Sequence, residues 1–135
     1  TVLKWKREGR RAMVGFISDQ SPKWEAMHHW TPFLHHDTFF FTGAEKIGRA
    51  VGARYFYVDV TRPRRGYYRA ELRELKVDAN SDSPYPVTDA FAQALETSIR
   101  RDPHLWLWTH NRWKRTREMW EKEKNKNKDH PVGRI

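Results

Sequence analysis

The chain contains no cysteine, and this absence removes several kinds of chemistry. Disulfide bonds, zinc sites built from thiolates and cysteine nucleophiles are all excluded. Long apolar runs are also missing, because the longest segment without Asp, Glu, Lys or Arg is 26–36. A membrane-spanning helix needs roughly 20 apolar residues, so the sequence predicts no transmembrane segment. Phosphate-loop, dinucleotide-binding and serine nucleophile-elbow motifs do not occur either.

Acidic residues are few compared with basic ones, and the excess positive charge predicts an anionic partner. The 135 residues include 26 Lys and Arg against 17 Asp and Glu, which gives a formal net charge of +9. Nucleic acid, an anionic membrane surface and an acidic protein all fit this charge, and charge alone does not choose among them. A chain of this length is expected to form one domain with a core of its own.

The order of predicted elements indicates an α/β fold with a mixed sheet flanked by helices. The elements are a helix end at Gly9, a buried strand at 12–18, an ordered loop at 21–37, a helix from Thr42 to Gly52, a central strand at 54–60, a strand at 67–78 with a bulge near Arg73, and a helix capped by Thr88. We expect residues 1–121 to form the folded portion and 122–135 to be a basic tail that frays.

Residues 106–114 form the most unusual segment, since they hold three tryptophans, one histidine, one arginine and one lysine. Asp102-Pro103 precedes them and is typical of a helix start, so we expect a helix here. Two interpretations stay open on residue type alone. The tryptophans can be core and the cations a solvated face, or the cations can bind an anionic, partly apolar ligand.

The histidines at 28, 29, 35 and 36, followed by Asp37, invite a metal interpretation. Their spacing matches no common site, and adjacent side chains on extended chain point in opposite directions, so no metal ligand is assigned. Asp19 follows the predicted strand, where ligands sit in open α/β sheets, although Asp before Ser-Pro is also typical of a turn.

A nucleic-acid-binding module is the alternative from another functional class. The 19 aromatic residues and the basic clusters at 62–65 and 112–128 favour it. No nucleic-acid-binding motif is recognisable, and the tryptophans do not fall on a predicted sheet face where bases would stack. A structural domain at a membrane surface is a third interpretation.

Four collinear motifs resemble the bacterial lipid A biosynthesis acyltransferases, the lauroyl and myristoyl transferases of the glycerolipid acyltransferase superfamily. The motifs are Gly15-Phe-Ile-Ser-Asp-Gln-Ser-Pro-Lys23, His28-His-Trp-Thr-Pro-Phe-Leu34, Asp37-Thr-Phe-Phe-Phe-Thr-Gly43 and Leu105-Trp-Leu-Trp-Thr-His-Asn-Arg-Trp-Lys114. The resemblance covers roughly residues 5–118. A departure is His35-His36, where the family leads us to expect a pair containing Asn.

The resemblance implies a peripheral enzyme on the cytoplasmic face of the inner membrane. Such an enzyme moves a fatty acyl group from acyl carrier protein, or from coenzyme A, to a hydroxyl of a lipid A precursor. The acyl thioester is a co-substrate, no other cofactor is implied, and no nucleic acid partner is expected. The family's general base belongs to a His-x4-Asp/Glu motif, and none of the seven histidines here has Asp or Glu five positions later.

Residues 1–121 are therefore expected to be the C-terminal portion of an acyltransferase domain that is inactive alone, with the catalytic motif upstream. The resemblance assigns no catalytic residue to this chain and implies substrate-binding roles by position in the motifs. Asp19 and Gln20 would support the acceptor site. The candidate anion contacts are Lys23, Arg62, His110, Arg112 and Lys114, and the residues beside the acyl chain are Phe40, Phe41 and Gly43.

Overall fold

The computed structural model describes residues 1–77 and 80–129. Within these ranges it contains α1 (Val2–Arg7), β1 (Trp30–Phe33), β2 (His36–Phe39), α2 (Gly43–Val51), β3 (Phe56–Arg64), β4 (Tyr67–Glu74), α3 (Pro86–Arg101) and α4 (Arg117–Asp129). Short 3-10 helices lie at Trp24–Ala26 and Pro103–Leu105. Helices and strands are both present in quantity, which confirms the predicted α/β class.

The strands form two separate antiparallel hairpins, so the single mixed sheet that we predicted is wrong for the described ranges. In the first hairpin Trp30 pairs with Phe39 and Phe33 with His36. In the second, Phe56 pairs with Glu74 and Val60 with Ala70. No strand of the described residues pairs on the other side of either hairpin, so β3 is not the central strand expected from its β-favouring sequence.

Two local predictions around the first hairpin are wrong. Residues 12–18 run as extended chain without strand pairing, and Ile17 is 81% exposed. An apolar run alone does not make a strand, because the backbone must also find a hydrogen-bonded neighbour. The predicted loop 21–37 contains β1 and the start of β2, joined by a two-residue turn at Leu34 and His35 in which both φ angles are positive. Positive φ at both positions is the requirement of a type I′ hairpin turn.

The second hairpin also differs from expectation in its details. β3 continues through Arg64, four residues past its predicted end, and the chain reverses next to Gly66, whose φ is +81°. The bulge lies on β3 between Thr61 and Arg64 and not near Arg73. Pro63 lies within this irregular stretch, and proline cannot donate a ladder hydrogen bond, so the register shifts there.

The helix predictions rest on signals that lie within a few residues of the helix ends. α2 is confirmed: it ends at Val51, and Gly52 takes the left-handed conformation with φ +67°. α1 is likewise followed by Gly9 at φ +64°. α3 begins at Pro86, before the predicted cap at Thr88, because proline suits the first turn of a helix.

The tryptophan-rich segment 106–114 is not helical, which corrects the prediction made from Asp102-Pro103. Only the 3-10 helix Pro103–Leu105 forms, and the indole of Trp108 donates to the carbonyl of Pro103 at 2.7 Å. Trp106 and Trp113 pack against the core, whereas Trp108 is 57% exposed. The segment is therefore a folded loop with two tryptophan anchors.

α3 supplies one face of the core. Ala92, Leu95 and Ile99 follow helical spacing and are buried with Tyr57 and with the two phenylalanines of the first hairpin region, Phe33 and Phe40. Both hairpins thus pack on α3, and this common surface positions everything described below.

α4 extends from Arg117 to Asp129, so the expected domain division at residue 121 falls inside a helix. Residues 130–135 lie outside the described ranges, and the fraying of the tail stays a prediction. Among the helices of the described ranges, none is long and apolar enough to cross a bilayer.

A buried carboxylate joins the second hairpin to α3. Asp59 of β3 is 2% exposed and accepts two hydrogen bonds of 2.9 Å from Arg101 and one of 3.1 Å from Ser98. Nη2 of Arg73, on β4, lies 3.2 Å from Oδ2 of Asp59. The hydrogen bonds from Arg101 lower the pKa of Asp59, since they favour the ionised carboxylate.

We predict that Asp59→Asn lowers the free energy of unfolding by roughly 2 kcal/mol at neutral pH, because the arginines lose their charged acceptor while Arg101 is partly solvated. A depressed carboxyl pKa stabilises the fold above about pH 3.9, and this contribution disappears as the pH falls through the folded pKa. Denaturant titrations should therefore show that the free energies of unfolding of the original protein and of Asp59→Asn become similar in acid. Asp82→Asn, at an exposed position, serves as the control; an equal loss in both variants would contradict the prediction.

We also predict that alanine substitutions at two glycines of α2 have different effects on stability. A Cβ at Gly48 would overlap the ring of Tyr55, whose hydroxyl donates to the Glu45 carbonyl at 3.0 Å and holds the ring in place. Gly48→Ala should therefore destabilise the protein by about 1–3 kcal/mol. A Cβ at Gly43 meets nothing within 4 Å, so Gly43→Ala should be neutral or slightly stabilising. Thermal melts of both variants check this, and equal stability of the two would contradict it.

Candidate functional site

An open cleft of about 1130 Å³ lies between the extended segment 12–19, α2, β3 and α3. Its lining is mainly apolar and includes Met13, Ile17, Ile47, Val51, Phe56 and Val58. Most of these side chains remain exposed, with Ile47 at 38% and Val58 at 51%. Exposed apolar side chains that face one another across a cleft are typical of a site for an apolar ligand.

The cleft residues of α2 were recognised in the sequence only as the apolar positions of a helix. Ala44, Ile47 and Val51 follow helical spacing and all three line the cleft. Trp106, at the start of the tryptophan-rich segment, lines it as well. Sequence reasoning did not identify Ile47, Val51 or Trp106 as site residues, because apolar periodicity does not distinguish a core-facing stripe from a ligand-facing one.

Asp19 lines the cleft at the end of the extended segment and is the predicted acceptor-site residue that reaches it. Two residues further on, the backbone N–H of Ser21 donates to Nε2 of His110 at 3.3 Å. This hydrogen bond ties the Asp-Gln-Ser motif to the tryptophan-rich segment across 89 residues. Phe41, predicted to lie beside an acyl chain, also lines the cleft.

Arg112 is buried inside the protein, with only 2% of its surface exposed. Its Nη2 donates to the carbonyl of Phe39, its guanidinium lies 4.6 Å from the centre of the Phe40 ring, and its Nε has no hydrogen-bond partner among the described residues. Burial lowers the pKa of Arg112 to about 10, although the negative charge of Asp19 acts in the opposite direction. A buried cation that lacks a hydrogen-bond partner at Nε and interacts electrostatically with a cleft carboxylate is a candidate for a functional residue.

Other members of the tryptophan-rich segment hold it against the first hairpin. The indole of Trp113 donates to Oγ1 of Thr38 at 2.9 Å, and the ring of His36 lies 4.6 Å from the Trp113 ring. Lys114, in contrast, is exposed. The two cations of this segment are therefore in different environments, a distinction that the sequence alone does not give.

Several residues with predicted substrate roles lie outside the cleft lining. Phe40 is fully buried in the core. Gln20, Lys23, Gly43, Arg62 and Lys114 are exposed and do not line the cleft. Their predicted roles in binding stay predictions. Asp19 and Phe41 line the cleft, His110 accepts a hydrogen bond two residues after Asp19, and Arg112 interacts electrostatically with Asp19.

The four clustered histidines do not converge. Nε2 of His29 lies 2.6 Å from Oδ1 of Asp89, Nε2 of His35 lies 3.2 Å from Arg100, and His36 packs on Trp113. His28 is exposed. Within 1–77 and 80–129, no group of three or more His, Asp and Glu side chains is placed to hold a metal ion.

We predict that two substitutions of Arg112 have different effects on stability, because one removes the charge alone and the other removes side-chain volume as well. A pKa lowered from its usual value to about 10 means that the buried charge costs stability, on the order of 3 kcal/mol at neutral pH. Arg112→Met keeps most of the volume and removes that cost while leaving the Phe39 carbonyl without its donor, so its free energy of unfolding should change by less than about 1.5 kcal/mol.

Arg112→Ala should destabilise by roughly 2–4 kcal/mol, because truncation also empties buried volume. Lys114→Met, at an exposed position of the same segment, is the control and should leave stability unchanged. Denaturant titration at pH 7 measures all three variants. If Arg112→Met proved as destabilising as Arg112→Ala, the hydrogen bond of the cation to Phe39 would be holding the fold together, and the cost of the charge would be overstated.

Comparison with known families and proteins adds one positive finding. The model of the family described as "Bacterial lipid A biosynthesis acyltransferase" matches residues 2–115, which include the cleft, Asp19 and the tryptophan-rich segment. A search of curated proteins and a search of solved structures each gave no match. Because the match spans most of the 135 residues, the chain belongs to the bacterial lipid A biosynthesis acyltransferase family.

Proposed function

We propose that this chain forms the substrate-binding part of an acyltransferase that moves a fatty acyl group from a thioester carrier to a hydroxyl of a lipid A precursor or a similar glycolipid. Family membership supports acyl transfer in general. The observation that carries the proposal further is the apolar cleft, because an acyl chain needs a long apolar surface beside the reacting carbonyl.

The chemistry requires a base, a nucleophilic hydroxyl and an activated acyl carbonyl. The base removes the proton of the acceptor hydroxyl, the oxygen attacks the thioester carbonyl, and the thiol leaves with a proton. None of the seven histidines here belongs to a His-x4-Asp/Glu motif, so we assign no proton-transfer step to these residues. Their proposed work is to hold the acyl chain and the acceptor in position.

A carboxylate in the cleft suits the acceptor. Asp19 lines the cleft, and the positive charge of Arg112 acts on it electrostatically. A glucosamine-based acceptor offers hydroxyl groups that donate to a carboxylate and phosphates that attract cations. We propose that Asp19 binds acceptor hydroxyls and that the positive charge of Arg112 favours an anionic acceptor there.

The net charge of +9 supports an acidic acyl carrier and a reaction at an anionic membrane surface. Acyl carrier protein is acidic, the acceptor carries phosphates and the inner leaflet of the membrane is anionic, so one basic protein serves all three. We therefore propose acyl carrier protein as the donor partner, with an acyl coenzyme A as the other candidate donor, at the cytoplasmic face of the inner membrane.

A binding experiment on the 135-residue chain tests the cleft. We predict that dodecanoyl coenzyme A binds the chain and that Ile47→Asp weakens binding roughly tenfold or more, because a carboxylate in an apolar cleft must lose its hydration. Leu3→Asp is the matched control, since Leu3 is 52% exposed and does not line the cleft. Fluorescence titration gives the affinities and circular dichroism confirms that both variants fold.

Equal binding by the two variants would contradict the proposal that the cleft holds the acyl chain. A DNA or RNA titration supplies the decisive comparison with the other functional class. Tight nucleic acid binding that falls steeply with salt, together with no affinity for the acyl thioester, would favour a nucleic-acid-binding module instead.

A further inference from the structure

The second hairpin extends away from the rest of the protein. Among the described residues, the hydrogen bond from Arg101 of α3 reaches the carbonyl of Val60 and none joins a later residue of β3 to the body, and every residue of β4 is exposed. Strands rise about 3.3 Å per residue, so the part beyond Val60 reaches roughly 15 Å to its turn at Gly66. We call residues 61–69 the hairpin tip.

Four arginines lie in the hairpin tip, and it contains no acidic residue. Arg62, Arg64, Arg65 and Arg69 are all exposed, and no carboxylate of the described residues forms an ion pair with any of them. Elsewhere on the same hairpin, Arg73 is paired with Asp59 and Glu71. The positive charge of the hairpin tip is therefore concentrated and not neutralised locally.

Aromatic and apolar side chains adjoin these arginines. Tyr67 is 56% exposed and Tyr68 is 64% exposed, and the guanidinium of Arg64 lies 3.7 Å from the Tyr67 ring centre. The strand register places Tyr68 on the same face as Leu72 and Val58, which pair with each other and line the cleft nearer the body of the protein. Charge at the end and apolar surface along one face make the hairpin amphipathic.

We propose that the hairpin tip is a docking element for an anionic lipid bilayer, with its arginines on lipid phosphates and its tyrosines at the level of the headgroups. Guanidinium groups bind phosphate with two hydrogen bonds, and tyrosine is enriched at membrane interfaces. The proposal deepens the proposed function, on which it rests, by naming the element that meets the membrane and thereby brings the cleft to a lipid acceptor.

A bilayer fits these residues better than an acidic protein does. The hairpin tip is a two-stranded ribbon, and its exposed tyrosines lie beside its charges. A bilayer needs no matching shape, because it accepts a projecting amphipathic element of any outline. The same arginines on an acidic protein would leave Tyr67 and Tyr68 in water.

Vesicle binding by the full 135-residue chain tests the proposal without requiring catalysis. We predict that Arg64→Gln with Arg65→Gln weakens binding to phosphatidylglycerol-containing vesicles roughly 30-fold, since each basic residue at an anionic surface contributes about fivefold. Lys122→Gln with Lys126→Gln is the matched control, because it removes the same charge from exposed positions of α4. Cosedimentation measures both, with phosphatidylcholine vesicles as the neutral reference.

An attached fluorophore then tests contact directly, because a chain without cysteine allows a single labelling site. A polarity-sensitive dye on Tyr68→Cys should shift to the blue when anionic vesicles are added, and the same dye on Lys122→Cys should not. A shift at Tyr68 supports the proposal.

Equal weakening by the two charge variants would overturn it, because binding would then follow net charge alone. Loss of binding to acyl carrier protein in the Arg64 and Arg65 variant, with vesicle binding intact, would also overturn it and would identify a protein as the partner. Vesicle binding and dye shift that persist while acyl thioester binding is absent would remove the proposed function but leave the hairpin tip as a membrane-docking element.

Discussion

α3 is held at both of its ends by buried carboxylates from other elements, and the arrangement of the protein depends on this constraint. At the start of the helix, Glu45 of α2 is 1% exposed and accepts from both the N–H and the hydroxyl of Thr88. At the end, Asp59 of β3 binds Arg101. A carboxylate suits the positive end of a helix, and a buried charge tolerates little displacement of its partners. The helix therefore fixes α2 and β3 as the two facing walls of the cleft.

The elements predicted correctly are those whose signals lie within a few residues. α2 ends at Gly52 because glycine takes the left-handed conformation without strain, and no distant contact is needed to anticipate it. The segment 12–18 and the tryptophan-rich segment were predicted wrongly because distant or competing partners decide them. An apolar run becomes a strand only beside another strand. After Pro103, the indole of Trp108 donates to the Pro103 carbonyl, which would accept a backbone hydrogen bond if the helix continued.

The candidate site was only partly visible in the sequence for a related reason. Asp19 and Arg112 are 93 positions apart, and their electrostatic interaction arises from folding alone. Motif resemblance marked both residues, yet it did not distinguish the buried Arg112 from the exposed Lys114 two positions later. The cleft itself is made by apolar side chains that any periodicity argument assigns to a core. The sequence thus identified individual candidate site residues, whereas the way in which they form a site depends on the three-dimensional arrangement of α2, α3 and β3.

The turn between β1 and β2 carries an implication for the order in which the chain folds. Leu34 and His35 both have positive φ, a conformation that disfavours a residue with a side chain by roughly 1–2 kcal/mol. The N–H of Leu34 donates to Glu96 of α3, 62 positions away, at 2.8 Å. The first hairpin therefore gains part of its stability from α3, a helix that is synthesised later. We infer that synthesis of α3 sets the moment at which the N-terminal hairpin acquires its shape.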